Sequence, residues 1–234
     1  MLRSPDWANW LDAKQRCLWI HGIPGAGKTV LMSYLIEQIK QHCGQSQKGK
    51  IAYVYYYFYF GHNQDEAVPF LRWLINQLCR QANSVPGNVY KMYKYGGEPS
   101  LVELLKALED ILDKFEITYV IVDAIDESNP REDLLKVLRD LVTDSRFKKL
   151  QLLASSREYI DIERVMEDFS VSVSMANPFV EEDIRLHIRS TLQSEPKFRR
   201  WPQELLDEVE DAVSTGARGM YVAVHTSLQG CSYH

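Results

Sequence analysis

The residues best able to do chemistry are the eight at 22–29, GIPGAGKT, which match the phosphate-loop pattern G-x-x-x-x-G-K-[ST]. A loop almost free of side chains can turn several backbone N–H groups towards a triphosphate. Lys28 would reach the β- and γ-phosphates as a point charge, and the Thr29 hydroxyl would bind Mg²⁺. The predicted nucleotide-binding residues are Gly22, Ile23, Pro24, Gly25, Ala26, Gly27, Lys28, Thr29 and Val30.

A second group of polar residues follows an apolar run in YVIVDAIDES, residues 119–128. Asp123 ends the apolar run, and a carboxylate at that place can hold Mg²⁺ through water, so Thr29 and Asp123 are the predicted metal ligands. Asp126 and Glu127 are the predicted catalytic acids that orient the attacking water. The pattern leaves open which of these two is the base.

A third signal is LLASSRE, residues 152–158, where a short apolar run ends in two serines and Arg157. Ligands of open α/β sheets bind at the carboxyl ends of the strands. We therefore predict that Arg157 contacts the γ-phosphate and belongs to the catalytic group.

The elements that must position these residues alternate along the chain. Apolar runs predict strands over residues 17–21, 51–60, 117–123, 150–156 and 171–175. Amphipathic patterns predict a helix after the phosphate loop and helices over residues 69–82, 100–115, 131–147, 178–193 and 202–214, with a polar connection at 83–99. Such alternation predicts a parallel sheet with helices on both faces.

The run IAYVYYYFYF at 51–60 contains many tyrosines, which could stack on nucleic-acid bases. No basic residue interleaves with them, so the run favours a core strand covered on both faces.

The composition argues against several functional classes. The net charge of −5 opposes broad non-specific binding to nucleic acid, and no apolar stretch reaches the roughly 18 residues that span a bilayer. Four cysteines without metal-ligand spacing indicate reduced thiols. The N-terminus lacks the apolar core of a signal peptide. We expect a cytoplasmic protein that binds no nucleic acid and has no membrane span.

Four segments resemble, in order and spacing, the NACHT nucleotide-binding domain of the STAND NTPases, and most of all that of fungal NOD-like receptors. They are LWIHGIPGAGKT, VIVDAIDES, LLASSRE and GARGMYV, and the resemblance covers about residues 5–224. It implies an α/β P-loop NTPase of the ASCE type, with a five-stranded parallel sheet and a C-terminal helical subdomain. The strand at 150–156 would separate the loop strand from the Walker B strand. The implied boundaries are 1–176 for the NTPase core and 177–234 for the helical subdomain, incomplete or divergent at its end.

The resemblance also implies a function. The chain would be the nucleotide-binding module of a NOD-like receptor, a signalling switch with slow Mg²⁺-dependent hydrolysis of ATP or GTP, and it would also bind the diphosphate. It would self-associate through the NTPase domain in the triphosphate state, and the other receptor domains, a winged helix and sensory repeats, would lie outside this chain.

Three other functions fit part of the pattern. A small-molecule kinase also uses a phosphate loop, but two acids beside Asp123 fit water activation better than binding of an acceptor. An AAA+-type motor ATPase would show continuous turnover and stable rings without a trigger. A pure interaction module would have a decayed site, whereas every motif residue is present here.

Overall fold

A computed structural model describes residues 4–45, 50–217, 219–220 and 223. Its centre is a five-stranded parallel sheet in the order β2-β3-β4-β1-β5. The strands are β1 (Cys17–His21), β2 (Ile51–Tyr57), β3 (Ile117–Asp123), β4 (Leu150–Ser156) and β5 (Val171–Ser174). β4 lies between β1 and β3, as the resemblance to the NACHT domain implies, so the expected α/β fold is confirmed.

The helices of the described residues are α1 (Pro5–Leu11), α2 (Lys28–Gln45), α3 (Ala67–Ala82), α4 (Gly87–Tyr95), α5 (Leu101–Leu112), α6 (Glu132–Thr143), α7 (Ile160–Met166), α8 (Pro178–Ser194) and α9 (Gln203–Ala217). Short 3-10 turns occupy Phe60–His62, Ile125–Glu127, Ser145–Phe147 and Pro196–Phe198. Much of the GARGMYV motif and the tail at 224–234 lie outside the described residues, so the incomplete helical end stays a prediction.

The strand register aligns the ends that carry polar residues. Tyr57 pairs with Asp123, and Val122 pairs with Ala154 one row before. Since these pairs are parallel, β2, β3 and β4 finish at the same edge of the sheet. The residues that follow the three strands are therefore neighbours.

β2 departs from its prediction in length and in burial. It ends at Tyr57, and Tyr55 and Tyr57 are exposed, so the prediction of a strand covered on both faces is wrong. The cause is its place at the edge of the sheet, where it pairs only with β3. Side chains of α3 reach its outer edge, because Trp73 Nε1 donates to the Tyr55 carbonyl and Gln81 Nε2 donates to the Tyr53 carbonyl.

Several helices also differ from their predictions. The connection predicted at 83–99 contains α4, whose residues are mostly polar or exposed and which packs Val89 and Met92 against the core. The helix predicted over 131–147 stops at Thr143, because Asp144 turns to an extended conformation and accepts a hydrogen bond from the Arg146 N–H. α1 and α7 are short helices that the periodicity did not reveal.

One hydrophobic core joins the sheet to α3, α5 and α6. Phe70, Leu74, Leu108 and Leu134 are fully buried there, against β-strand residues such as Val120. α5 begins with a capping box, in which the Ser100 hydroxyl and the Glu103 carboxylate each bond the other's backbone N–H.

By its internal contacts the chain divides into two compact units. The first holds residues 1–20 and 29–173. The second holds the phosphate loop, residues 21–28, together with residues 174–234. In the second unit α8 packs on α9, and Arg189 forms two hydrogen bonds with the Glu210 carboxylate at 2.7 and 3.0 Å. The predicted domain boundary after residue 176 stays a prediction.

Candidate functional site

The phosphate loop runs from the end of β1 to the first residue of α2, Lys28. Gly27 has φ +85°, a left-handed conformation that glycine adopts without a steric penalty. At Gly22 a Cβ would lie 2.8 Å from Met175 Cβ, so a larger residue does not fit. Glycine is therefore required both by the turn and by the close approach of neighbouring chain.

The Lys28 ammonium is directed back over this loop. Its Nζ donates to the carbonyl oxygens of Gly22 at 2.8 Å and Ile23 at 2.9 Å. A positive charge thus lies across a loop that leads into a helix N-terminus, and backbone N–H groups at a helix N-terminus favour anions. The arrangement can bind phosphate.

Beside the loop, the second unit contains a cavity of about 200 Å³. The residues that line it are Ile23, Met175, Ala176, Asn177, Val180, Glu181 and Gly219. Its position is held by a hydrogen bond of 2.7 Å from the Met175 N–H to the His21 carbonyl, and by Asn177, which accepts from two N–H groups at the start of α8. The walls are mostly apolar, with one carboxylate.

Thr29 and Val30, the last residues of the predicted nucleotide set, stand in the first turn of α2 and belong to the first unit. Both are exposed. The carbonyl of Thr29 accepts a hydrogen bond from the Ser33 hydroxyl at 2.9 Å.

Asp123, the predicted metal ligand of β3, is almost fully buried, with 2% of its surface exposed. The Ser155 hydroxyl donates to its Oδ1, and the same hydroxyl accepts from the Ala124 N–H at 3.1 Å. Ser155 belongs to β4, so the neighbouring strand sets the orientation of the carboxylate.

The chain turns sharply after Asp123 and separates the next two acids. Ala124 has a left-handed backbone, with φ +61°. Ile125, the first residue of the 3-10 turn that follows, is buried. Asp126 then lies on the side of β4, whereas Glu127 lies on the side of β2. The two candidate bases therefore have different surroundings.

Asp126 is paired with Arg157. Its Oδ1 accepts from the Arg157 backbone N–H at 2.8 Å, and its Oδ2 lies 3.2 Å from Arg157 Nε. The Asp126 side chain is 4% exposed, whereas that of Arg157 is 43% exposed. The sequence predicts both residues as functional but does not predict that they bind each other.

Glu127 is half-buried and has a different partner. Its Oε2 accepts a hydrogen bond of 3.2 Å from the backbone N–H of Phe60, which follows the edge strand β2. The carboxylate of Glu127 is thus oriented by main chain rather than by a charged side chain.

Arg131 also holds the turn that carries these acids, and no sequence motif indicates this role. Its Nη1 donates to the carbonyls of Asp126 at 2.8 Å and Ser128 at 3.3 Å, while its Nε donates to Asp161 at 2.7 Å. The guanidinium lies 5.1 Å from the centre of the Tyr159 ring. Burial opposes ionisation of Asp161, but the Arg131 hydrogen bond and charge outweigh it and lower the pKa of that carboxyl.

Glu66 is a second residue that sequence reasoning missed. Its side chain is fully buried at the start of α3, where it accepts from the Tyr56 hydroxyl at 2.7 Å. An acid directly before the apolar run AVPFL at the start of α3 is the signal that could have found it.

Comparisons with known proteins identify the family and the fold. The family described as Nephrocystin 3, N-terminal, matches residues 1–157. The chain belongs to this family. Its match covers β1, the phosphate loop, the acids after β3 and Arg157.

A curated relative extends the match to nearly the whole chain. The vegetative incompatibility protein HET-E-1 of Podospora anserina is 26% identical over 243 residues, which cover 96% of this chain and 17% of the relative. This chain therefore spans only a small part of the length of that relative. Together the family and the relative support a NACHT-type domain.

Solved structures share the fold at low identity. The Walker-type ATPase PABY2304 of Pyrococcus abyssi has a TM-score of 0.58 at 13% identity, over 97% of this chain and 66% of that one. Drosophila ORC bound to DNA has a TM-score of 0.56 at 17% identity, over 96% and 53% of the chains. The Aeropyrum pernix ORC2 protein, in ADPNP–ADP complexes, has a TM-score of 0.53 at 17% identity, over 95% of this chain and 57% of that one. These matches show the α/β P-loop ATPase fold.

Within the part of the chain that the structure describes, no helix is both long enough and apolar enough to span a membrane. The three cysteines among those residues, Cys17, Cys43 and Cys79, are free thiols.

Proposed function

We propose that this chain is a nucleotide-dependent signalling switch that binds a nucleoside triphosphate with Mg²⁺ and hydrolyses it slowly. The observation that carries the proposal is the pair formed by Arg157 and Asp126. A switch needs a group whose interactions differ between the triphosphate and diphosphate states. Arg157 has an internal partner that the γ-phosphate can replace.

The phosphate loop supplies the binding energy for the nucleotide. Its backbone N–H groups and the Lys28 ammonium bind the phosphates, and the ammonium exchanges its present carbonyl partners for phosphate oxygens. Phosphate is the better acceptor because it is charged, and charge-assisted hydrogen bonds are about twice as strong as neutral ones.

Thr29 and Asp123 are the proposed metal ligands. Hydroxyl and carboxylate oxygens are the ligands that Mg²⁺ prefers, and Ser155 fixes the Asp123 carboxylate through Oδ1. When bound, the cation neutralises charge on the phosphates.

The two remaining acids have separate roles. Asp126 binds Arg157 with both of its oxygens and is nearly buried, so we assign it to positioning Arg157. Glu127 has one backbone hydrogen bond and is only half-buried. We assign Glu127 to orienting the attacking water.

The cavity beside the loop suits a nucleobase. Ile23, Met175 and Val180 offer apolar contact to a flat ring, and Glu181 adds an acceptor. This composition accommodates adenine or guanine, so ATP and GTP both remain candidates.

The longer relative supports a wider context for this module. HET-E-1 extends far beyond the matched segment. We propose that other receptor domains adjoin this module, that the triphosphate state self-associates through it, and that the free thiols belong to a protein of the cytoplasm.

The test is to purify the protein, release what it retains and identify the nucleotide, then to follow hydrolysis over many hours with and without Mg²⁺. We expect a retained nucleoside di- or triphosphate and slow, Mg²⁺-dependent turnover. Transfer of the γ-phosphate to a small acceptor would indicate a kinase. Continuous fast turnover in stable rings would indicate a motor.

A further inference from the structure

Glu66 is a buried carboxylate that the proposed function leaves unused. It has 0% of its surface exposed, and burying a carboxylate is costly unless it is hydrogen-bonded. Its Oε2 accepts from the Tyr56 hydroxyl at 2.7 Å and lies 3.1 Å from His62 Nδ1, and its Oε1 accepts from the Tyr59 N–H at 3.3 Å. All three partners belong to the segment 56–62 that ends β2.

The same segment contacts the acids that follow β3. The Phe58 N–H donates to the Asp123 carbonyl at 3.0 Å, and the Phe60 N–H donates to Glu127 Oε2 at 3.2 Å. Glu66 makes a further connection to that turn, since its own N–H donates to the hydroxyl of Ser128, the residue after Glu127, at 3.2 Å. Glu66 thus anchors the segment 56–62, and the backbone of the same segment orients Glu127.

The anchor itself is rigid. The Tyr56 ring packs edge-on against Phe58 and Phe70, with ring centres 5.0 and 5.6 Å away. Burial raises the pKa of Tyr56, and the contact with Glu66 raises it further, so the hydroxyl stays protonated and keeps donating. The α3 N-terminus, where Glu66 lies, also stabilises a negative charge.

We propose that Glu66 is a positioning residue for Glu127. Glu66 anchors the segment 56–62, and the backbone N–H of Phe60 in that segment holds the Glu127 carboxylate in the orientation needed for water activation. The inference rests on the proposed function, because Glu127 must act on the attacking water. It assigns to Glu66, at the start of α3, a control over hydrolysis that leaves nucleotide binding untouched.

The variant that tests this is Glu66→Gln, which keeps the volume but replaces one acceptor oxygen with an NH₂ group. The segment 56–62 loses part of its anchor, so Glu127 loses its fixed orientation. We expect kcat to fall by about 10-fold or more, as for loss of a hydrogen bond to a charged group. KM and the Kd for a non-hydrolysable triphosphate should stay at their wild-type values. The milder variant Tyr56→Phe should lower kcat in the same direction.

Two controls separate positioning from general damage. Glu98→Gln alters an exposed glutamate, 91% accessible and paired with Arg72, and should change nothing. In a double-mutant cycle measured on the slow residual turnover of Glu127→Gln, Glu66→Gln should have no further effect, because coupled residues are not additive. A purely structural role would lower the melting temperature and kcat in both backgrounds.

The outcomes distinguish this inference from the proposed function. Suppose that Glu127→Gln loses most turnover while Glu66→Gln and Tyr56→Phe hydrolyse nucleotide at the wild-type rate or faster. Glu66 then does not position Glu127, but the proposed nucleotide-hydrolysing function stands. Additive losses in the double mutant would also overturn the inference. If wild type neither binds nor hydrolyses nucleotide, the proposed function fails, and the inference fails with it.

Discussion

Arg157 and Asp126 hold each other through two contacts, an N–H to Oδ1 bond of 2.8 Å and an Nε to Oδ2 distance of 3.2 Å. Arg157 directly follows β4 and Asp126 lies in the turn after β3, so the pair links the central strand of the sheet to its neighbour β3. In the proposed function, a γ-phosphate would compete with the Asp126 carboxylate for the Arg157 guanidinium. This competition is the physical basis of the proposed switch.

Lys28→Ala should remove most nucleotide affinity. Truncating one partner of a desolvated charge pair costs roughly 2–5 kcal/mol, or about 30- to several-thousand-fold in Kd. The measurement is a titration with a fluorescent nucleotide. Lys40→Ala is the matched control, because Lys40 lies in the same helix, is exposed and pairs only weakly with Glu37 at 3.5 Å. Equal affinity of the Lys28 variant and wild type would exclude the phosphate-loop assignment.

Asp123→Ala should weaken only the binding that depends on Mg²⁺. The side chain is proposed to hold the cation, so wild type and variant should have the same Kd in EDTA and different Kd values in excess Mg²⁺. Ser155→Ala should show a smaller loss of the same kind, since it releases the Asp123 carboxylate without removing it. A loss that is the same in EDTA and in Mg²⁺ would argue against a metal role.

The acids after β3 should have distinct phenotypes. Glu127→Gln should bind triphosphate normally and lose turnover. Asp126→Asn frees Arg157 from a charged partner, so triphosphate affinity should rise. A partly exposed ion pair contributes about 1 kcal/mol, which corresponds to a change in Kd of up to about fivefold. Isothermal titration and a hydrolysis assay separate the two effects. If Asp126→Asn alone abolishes turnover, the roles are reversed.

Arg131 should make stability depend on pH through Asp161. The pKa of Asp161 is lowered in the folded state, so its contribution to stability is present above its unfolded pKa of about 3.9 and is lost as the pH falls through the folded value. Arg131→Ala should therefore lower the melting temperature at pH 7 more than at pH 3. Arg139→Ala, which breaks the exposed pair with Asp168, is the control. Equal losses at both pH values would contradict this assignment.

The order of β1, β3 and β4 was implied by the resemblance to the NACHT domain, whereas local patterns predicted the phosphate loop, which is a short motif, and the alternation of strands and helices. They did not predict the partner of Asp126, which lies 31 residues away on another strand. Nor did they reveal the burial of Glu66, since a charged residue near a helix start is usually solvated. The aromatic run of β2 favours a strand covered on both faces, but β2 lies at the edge of the sheet. Composition alone does not show which strand occupies the edge.

The most direct test of the switch is to titrate wild type and Arg157→Ala with a non-hydrolysable triphosphate and with the diphosphate. Arg157 is proposed to contact the γ-phosphate alone, and a charge-assisted hydrogen bond is worth roughly 1.5–3 kcal/mol, about 10- to 150-fold in Kd. The variant should lose that much affinity for the triphosphate and keep its affinity for the diphosphate. Arg157→Lys should restore it only in part, because lysine lacks the planar pair of donors. Equal losses for both nucleotides would make Arg157 a structural residue and contradict the switch.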